Sequence, residues 1–209
     1  MARTRSAEAH GRVLEAAAEL FAGRGIDATS MDAIAESSGV SKATIYKHWP
    51  DKDALCLEVL GYVHGLDEEQ PEFESGDFRA DLIARLMYER AEKHKELKER
   101  LWPHLMAYSA KNLAFGQAWR ARVMEPARKG VAEMVARGQK EGVLRSGIDK
   151  ELALALLLGP IMYRHIFLKE LGKPSLKKLA PVVVDGFLGQ FGDPVCRRRR
   201  VLRTTGDAG

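Results

Sequence analysis

The sequence predicts an all-α protein, and three observations carry that reading. Apolar residues recur at three- and four-residue spacing along nearly the whole chain, the period of a helix with one buried face. Ser and Asp stand where helix N-termini need a side-chain acceptor, and Gly or Pro follows where helices must stop. No segment alternates like a strand, and no internal repeat is evident.

Taken in order, Val13, Leu14, Ala17, Leu20 and Phe21 form the first stripe, closed by Gly23 and Gly25. Ser30 is placed to cap a helix from Met31 to Ser38, with Asp32 in its first turn favourable to the helix dipole. Gly39 is the expected left-handed stop, since only glycine takes positive φ without a Cβ penalty. Ser41 caps a third helix, Lys42 to His48. Pro50 and Asp51 restart the chain as a fourth, to about Leu66, with Leu55, Val59, Leu60 and Val63 inward. Residues 67–76, DEEQPEFESG, form an acidic junction. Beyond it Phe78, Leu82 and Leu86 mark one helix. Leu97, Leu101, Leu105 and Tyr108 mark another, kinked or restarted at Pro103. A long helix is expected from about Ala114 to Lys140, bent near Pro126. Two strongly apolar helices, roughly Lys150–Leu171 and Ser175–Phe191, close the fold.

Composition narrows the classes. Of 209 residues, 45% are hydrophobic and 30% charged, which supports a real core in a soluble protein. No apolar stretch follows the N-terminal arginines, so no secretory leader is expected. The longest apolar run, Leu152 to Tyr163, is interrupted by Gly159 and Pro160 and is too short for a bilayer span. Cys56 and Cys196 give neither a disulfide framework nor a zinc-ligand spacing, which suits a reducing cytoplasm. The net charge of +4 is unevenly spread: residues 1–65 carry −2, residues 66–195 carry +2, and the last fourteen carry +4. Bulk charge therefore does not mark a basic domain, and any case for nucleic acid rests on individual positions.

Those positions are in residues 30–55. Small Ala35 lets the second and third helices approach, Gly39 makes the turn, Val40 fills the angle, and Ile45 anchors the third helix from beneath. Ile45 and Trp49 are four apart and share the buried face. Lys42, Ala43, Tyr46 and Lys47 are left outward. Ammonium groups meet phosphate or guanine, a small apolar side chain meets a thymine methyl, and a phenol reaches a phosphate oxygen. The pattern is a helix-turn-helix with its third helix presented to a DNA groove.

Residues 8–65, and above all VLEAAAELFAGRGIDATSMDAIAESSGVSKATIYKHWPDKDAL, resemble the N-terminal domain of the TetR (tetracycline-repressor-like) family of transcriptional regulators. The resemblance implies a homodimer whose two recognition helices read a palindromic operator on double-stranded DNA. It also implies a variable C-terminal domain that pairs the subunits and usually holds a ligand pocket. On this likeness Lys42, Ala43 and Thr44 fall at base-contacting positions, and Tyr46 and His48 at phosphate-contacting ones. Ser30 and Lys52 match backbone-contacting positions near helix N-termini, and Ser41 and Lys47 complete the expected DNA-facing set. Trp49 stands where the family more often has Phe and is read as core. Asp32 is acidic near the same face, so the second helix is not expected to be a major contact surface. Further on, RARVMEPARKGVAEMVARGQKEGVLRSGIDKELALALLLGPIMYR resembles a common C-terminal subclass of the family, with its Pro in a long helix and its Gly-Pro in the penultimate one.

The expected division is thus residues 1–65 as the DNA-binding domain, with the helix at about 51–66 linking onward. Residues 77–192 form a helical regulatory and dimerisation domain, and 193–209 a basic disordered tail. Arg3, Arg5 and Arg12 are candidates for an arm on DNA, while Arg197 to Arg203 reads as a solvated run. Leu176, Leu179, Val183 and Phe187 form a stripe on the last helix that, with Leu156 on the helix before it, would pack against a symmetry mate as a four-helix interface. Trp102, Met106, Tyr108 and Trp119, with Met162, Tyr163 and His165, are aromatic, soft or weakly polar residues suited to line a largely apolar effector pocket. The six histidines show no metal spacing, Cys56 reads as a small buried hydrophobe, and no cofactor is implied. The sequence reading is a ligand-responsive repressor and not an enzyme, since no nucleophile–base set, carboxylate pair or phosphate loop is present. Its rivals are a DNA-binding dimer without an effector and an enzyme docked by its helix-turn-helix.

Overall fold

The computed structural model describes residues 2–88, 91–167 and 175–193, with side chains for all of these except 2–5 and 165–167. Among the described residues the structure is helical: α1 Ala2–Arg24, α2 Met31–Ser38, α3 Lys42–His48, α4 Lys52–Val63, α5 Phe78–Met87, α6 Lys95–Lys111, α7 Leu113–Trp119, α8 Glu125–Lys140, α9 Lys150–Phe167 and α10 Leu176–Phe191. A short 3-10 turn, Glu92–His94, precedes α6, and a π-helical turn, Arg120–Met124, joins α7 to α8. The tail from 194 onward, and with it Cys196 and the arginine run, lies outside the described residues, as do the side chains of Arg3, Arg5 and His165.

The expected caps form. Ser30 Oγ accepts the Ala33 N–H at 3.1 Å. Ser41 Oγ accepts that of Thr44 at 3.3 Å, and Asp51 Oδ1 that of Ala54 at 2.7 Å. Each satisfies one of the N–H groups a helix start leaves without an internal partner. Gly39 closes α2 at φ 66°. α6 runs through Pro103 unbroken, because Leu101 and Leu105 on either side are packed into the core. At Pro126 the interruption is a π turn rather than a simple bend. A proline has no N–H to give the carbonyl four residues back, and widening the preceding turn accommodates the loss.

The described chain packs as two compact units. Among the described residues the first contains 2–69 and 91–126, and the second 70–88, 127–167 and 175–193. Packing therefore does not divide between residues 65 and 77. α6 and α7 join the N-terminal helices because Leu101, Leu105, Tyr108, Phe115 and Trp119 complete one core with Val13, Ala17 and Phe21 of α1 and Leu55, Val59 and Leu60 of α4. Gly25, at φ 89°, lies under the His104 ring, where an added Cβ would sit 3.1 Å from the imidazole. Thr29 ties the α1–α2 turn together by donating to the Gly25 carbonyl at 2.7 Å.

In the second unit α5 and α9 pack on α10, and α8 adds Val131, Met134 and Val135 to the core. Arg79 donates to both carboxylate oxygens of Asp185, at 2.6 and 2.8 Å, tying α5 to α10. Gly138 of α8 faces Phe78 so closely that a Cβ would come within 2.6 Å of the ring. Arg137 holds the acidic junction, donating to the Phe73 carbonyl at 2.8 Å and to Asp81 at 3.0 Å. Burial alone would raise the Asp81 carboxyl. The Ser75 hydroxyl and N–H, with the Arg137 guanidinium, outweigh burial and hold it below the ordinary carboxylate range.

Candidate nucleic-acid interface

The third helix is seven residues long and has one side committed to the core. Ile45 is fully buried, and Trp49, its C-cap, is 2% exposed. Val40 is buried in the turn ahead of the helix. Burying an Ile and a Trp in this way contributes several kcal/mol, roughly 1.5–3 for each large side chain. The opposite side is open: Ser41, Lys42, Ala43, Thr44, Tyr46, Lys47 and His48 are all exposed. Tyr46 keeps 48% of its surface in solvent. Of the two aromatics in this stretch, the phenol is presented and the indole is not.

The local partners differ from residue to residue. Lys42 Nζ pairs with Asp32 Oδ2 of α2 at 2.5 Å, both side chains well exposed. Lys47 has no anionic partner among the described residues. Thr44 shares its hydroxyl with Ser41 at 2.8 Å, so its freedom to present a donor outward is reduced. The His48 ring meets that of His10 edge-on at 5.6 Å. Lys52 is the position whose surroundings depart most from the expectation of a backbone contact. Its ammonium donates to the carbonyls of Ile26, Asp27 and Thr29 at 2.7, 3.2 and 3.1 Å, so all three protons stay within the protein. Arg12, though exposed, donates its Nε–H to the Ser38 carbonyl at 3.3 Å across the end of α2.

Beside α3 lies an open hollow of about 450 Å³ bounded by Thr29, Ser30, Met31, Tyr46 and Asp51. Ser30 and Met31, at the N-terminus of α2, line it, and a helix N-terminus favours an oxyanion. Two residues outside the sequence reading, His10 and Glu58, hold the helix from behind. Glu58 accepts the Trp49 indole N–H at 2.6 Å and pairs with His10 Nε2 at 2.6 Å. The signal that would have found them is the Trp itself: unlike Phe, it brings a donor that must be satisfied when buried.

The family described as bacterial regulatory proteins, tetR family, matches residues 13–59, and the tetracyclin repressor-like C-terminal domain matches residues 73–179. The chain belongs to the TetR family of DNA-binding transcriptional regulators. Its relatives include an uncharacterized HTH-type transcriptional regulator of Bacillus subtilis, 30% identical over 168 residues, covering 78% of this chain and 80% of the relative. The HTH-type transcriptional repressor KstR2 of Rhodococcus jostii is 30% identical over 163 residues, 69% and 72% of the two chains. Among solved structures, a putative TetR-family regulator from Mesorhizobium loti superposes with a TM-score of 0.63 at 28% identity, covering 90% of this chain and 98% of that one.

The residues expected to line an effector pocket fall into both units. Trp102, Met106, Tyr108 and Trp119 gather in the first, where the Trp102 and Trp119 rings meet edge to face at 5.7 Å. Tyr108 donates its hydroxyl to Asp53 at 2.6 Å, and burial followed by that carboxylate pushes the phenol's pKa well up. The indole N–H groups of Trp102 and Trp119 and the Ser109 hydroxyl are buried without a hydrogen-bond partner. Met162 and Tyr163 belong to α9 in the second unit, half-buried and exposed respectively. Cys56 is fully buried, and desolvation followed by the nearby Asp53 raises its thiol far from reactivity.

Of the expected interface residues, Leu156 is exposed, and Leu176, Leu179 and Val183 are half-buried. Phe187 turns inward and is 4% exposed. Ala180, Val184, Phe187 and Phe191 form the inward stripe of α10, at spacings of four, three and four. The outward apolar position is therefore Val182, at 68% exposure. Among the described residues no helix is long and apolar enough to cross a membrane, and no group of three or more His, Cys, Asp or Glu is placed to hold a metal.

Proposed function

We propose that this TetR-family chain is a homodimeric repressor that reads a palindromic operator through α3 and releases it when a small molecule binds. The observation that carries the reading is the two-sidedness of α3: Ile45 and Trp49 are buried while Lys42, Ala43, Tyr46 and Lys47 face outward. Lys42, Ala43 and Thr44 meet base edges near the helix N-terminus. Tyr46, Lys47 and His48 meet phosphate, and the α2 N-terminus at Ser30 seats another phosphate. Lys52 supports this face as a brace rather than as a contact, because its ammonium is already occupied.

Dimerisation is favoured by the apolar surface on α9 and α10, where Leu152, Leu156, Tyr163 and Val182 are exposed. Pairing this face with its two-fold mate removes it from water and closes the assembly. The effector reading is favoured by the partnerless indole N–H groups of Trp102 and Trp119, since a buried donor costs ~1–3 kcal/mol until something accepts from it. A largely apolar molecule with oxygen acceptors meets both requirements. It releases DNA only by binding better to a conformation that fits the operator worse.

Selection of duplexes from a random library with the full-length protein tests the reading. The expected product is an inverted repeat with half-site centres about one helical turn apart, ~34–36 Å. An unsymmetrical site, or none, overturns it. A panel of aromatic and acyl compounds screened by thermal shift, then by release of the selected duplex, tests the effector. Compounds that stabilise the protein and leave DNA bound point to the reading without a ligand switch.

A further inference from the structure

Glu58 stands on α4, placed between that helix and the two that bear on the recognition surface, α1 and α3. One carboxylate oxygen, Oε2, accepts the Trp49 indole N–H at 2.6 Å, and the other, Oε1, meets His10 Nε2 at 2.6 Å. Trp49 is the residue that ends α3, its own N–H going to the Ile45 carbonyl at 2.9 Å. His10 lies on α1, with its ring 4.6 Å from that of Trp49, and His48, the last residue of α3, packs against both rings at 5.6 Å. One side chain of α4 thus fastens the C-terminal end of α3 and the middle of α1 together.

We propose that Glu58 is a positioning residue for DNA recognition: through the Trp49 indole it fixes the direction of α3 against α1 and α4. The inference rests on the DNA-binding reading above and adds to it a specific mechanical link. Three features argue that the link has consequences. The indole is almost wholly buried while the Glu58 side chain is about a third exposed, so removing Glu58 leaves the indole N–H with water in place of a fixed charged acceptor. A carboxylate accepting from an N–H makes a stronger and more directional bond than a neutral acceptor does. And the hydrophobic anchor of the same helix, Ile45, is four residues away on the same face, so it holds the helix in place but leaves rotation about that anchor to be restrained at Trp49.

The test uses the full-length protein, the duplex that the wild type selects, and a scrambled duplex of the same length. Trp49→Phe keeps the ring and removes the donor. Glu58→Ala removes the acceptor, and Glu58→Gln keeps a neutral one. Trp49→Phe and Glu58→Ala are each expected to lower the ratio of selected to scrambled affinity about tenfold, with scrambled affinity unchanged, and the double variant to be no worse than the poorer single. Glu58→Gln should recover most of the ratio. Additive losses, or equal loss on both duplexes, overturn the proposal, the second outcome marking a general loss of folding instead. The indole N–H resonance of Trp49 provides a readout independent of DNA: it should be protected from exchange in the wild type and lose that protection in Glu58→Ala. An unchanged resonance overturns the link. If the wild type selects no sequence, the DNA-binding reading fails, while the resonance still decides the link itself.

Discussion

The balance of charge on the recognition face is set by single residues. Lys42 and Asp32 form an exposed pair, of the kind that contributes no more than about 1 kcal/mol to stability. On the proposed DNA-binding reading its larger effect is on DNA, because an acid beside α3 repels phosphate and occupies a lysine of that face. Asp32→Asn should therefore tighten binding to any duplex by ~3–10-fold at low salt, with less gain as salt rises, as an anisotropy titration would show. Weaker binding would mean that Asp32 orients Lys42 toward a base instead. Lys47, with no anionic partner among the described residues, is the simpler case. Lys47→Ala should flatten the dependence of log K on log salt by about one unit if it neutralises one phosphate. An unchanged slope removes Lys47 from the contact set.

At the scale of elements, α4 carries both the buried middle of the first unit and a titratable end. His64 caps α4, donating its N–H to the Leu60 carbonyl at 3.0 Å. Burial, with the charge of Lys98 nearby, lowers its imidazole from 6.5 to about 4. The unfolded chain then binds a proton at this site between those two values and the folded chain does not. Stability from this group is full above pH 6.5 and is lost as pH falls toward 4, by on the order of 3 kcal/mol. His94 is shifted in the same direction, by burial first and then by Lys93 and Lys98. Denaturation midpoints across pH 7.5 to 4.5 should fall less steeply for His64→Gln than for the wild type, and equal slopes would remove His64 from the account. The helices themselves were legible from the sequence wherever a cap or a glycine fixed an end, as at Ser30, Gly39, Ser41 and Asp51. Partnerships between distant elements were not. Glu58 sits nine residues after Trp49 with nothing local to link them, and the inward turn of Lys52 depends on the carbonyls of a loop that precedes it by some twenty residues.

For the whole molecule, the sequence expected a break after the fourth helix. The division was illegible because the stripes of α6 and α7 look the same whichever core they complete. Only the contacts of Leu101, Leu105 and Trp119 place them with α1 and α4. The last helix shows the same limit on a smaller scale. Its apolar positions lie on more than one side, so Phe187 is grouped with Leu176, Leu179 and Val183 by spacing although it alone of the four is buried. Val182 is consequently the sharper probe of assembly. Val182→Glu should convert the dimer to a monomer at micromolar concentration in sedimentation velocity, with helicity retained, and should abolish binding to a palindrome while half-site affinity persists. A dimer that survives the substitution would place the interface elsewhere.

The exposed side of α3 has a meaning for how such a protein changes over time. Ala43, Tyr46 and Lys47 are exposed and take no part in the core that holds the helix, which rests on Ile45 and Trp49. Side chains there can be exchanged at little expense in folding, so new target preferences are open to descent or to a designer one substitution at a time. The scaffold behind them is the conservative partner: the reader can be rewritten as long as its mounting is left alone.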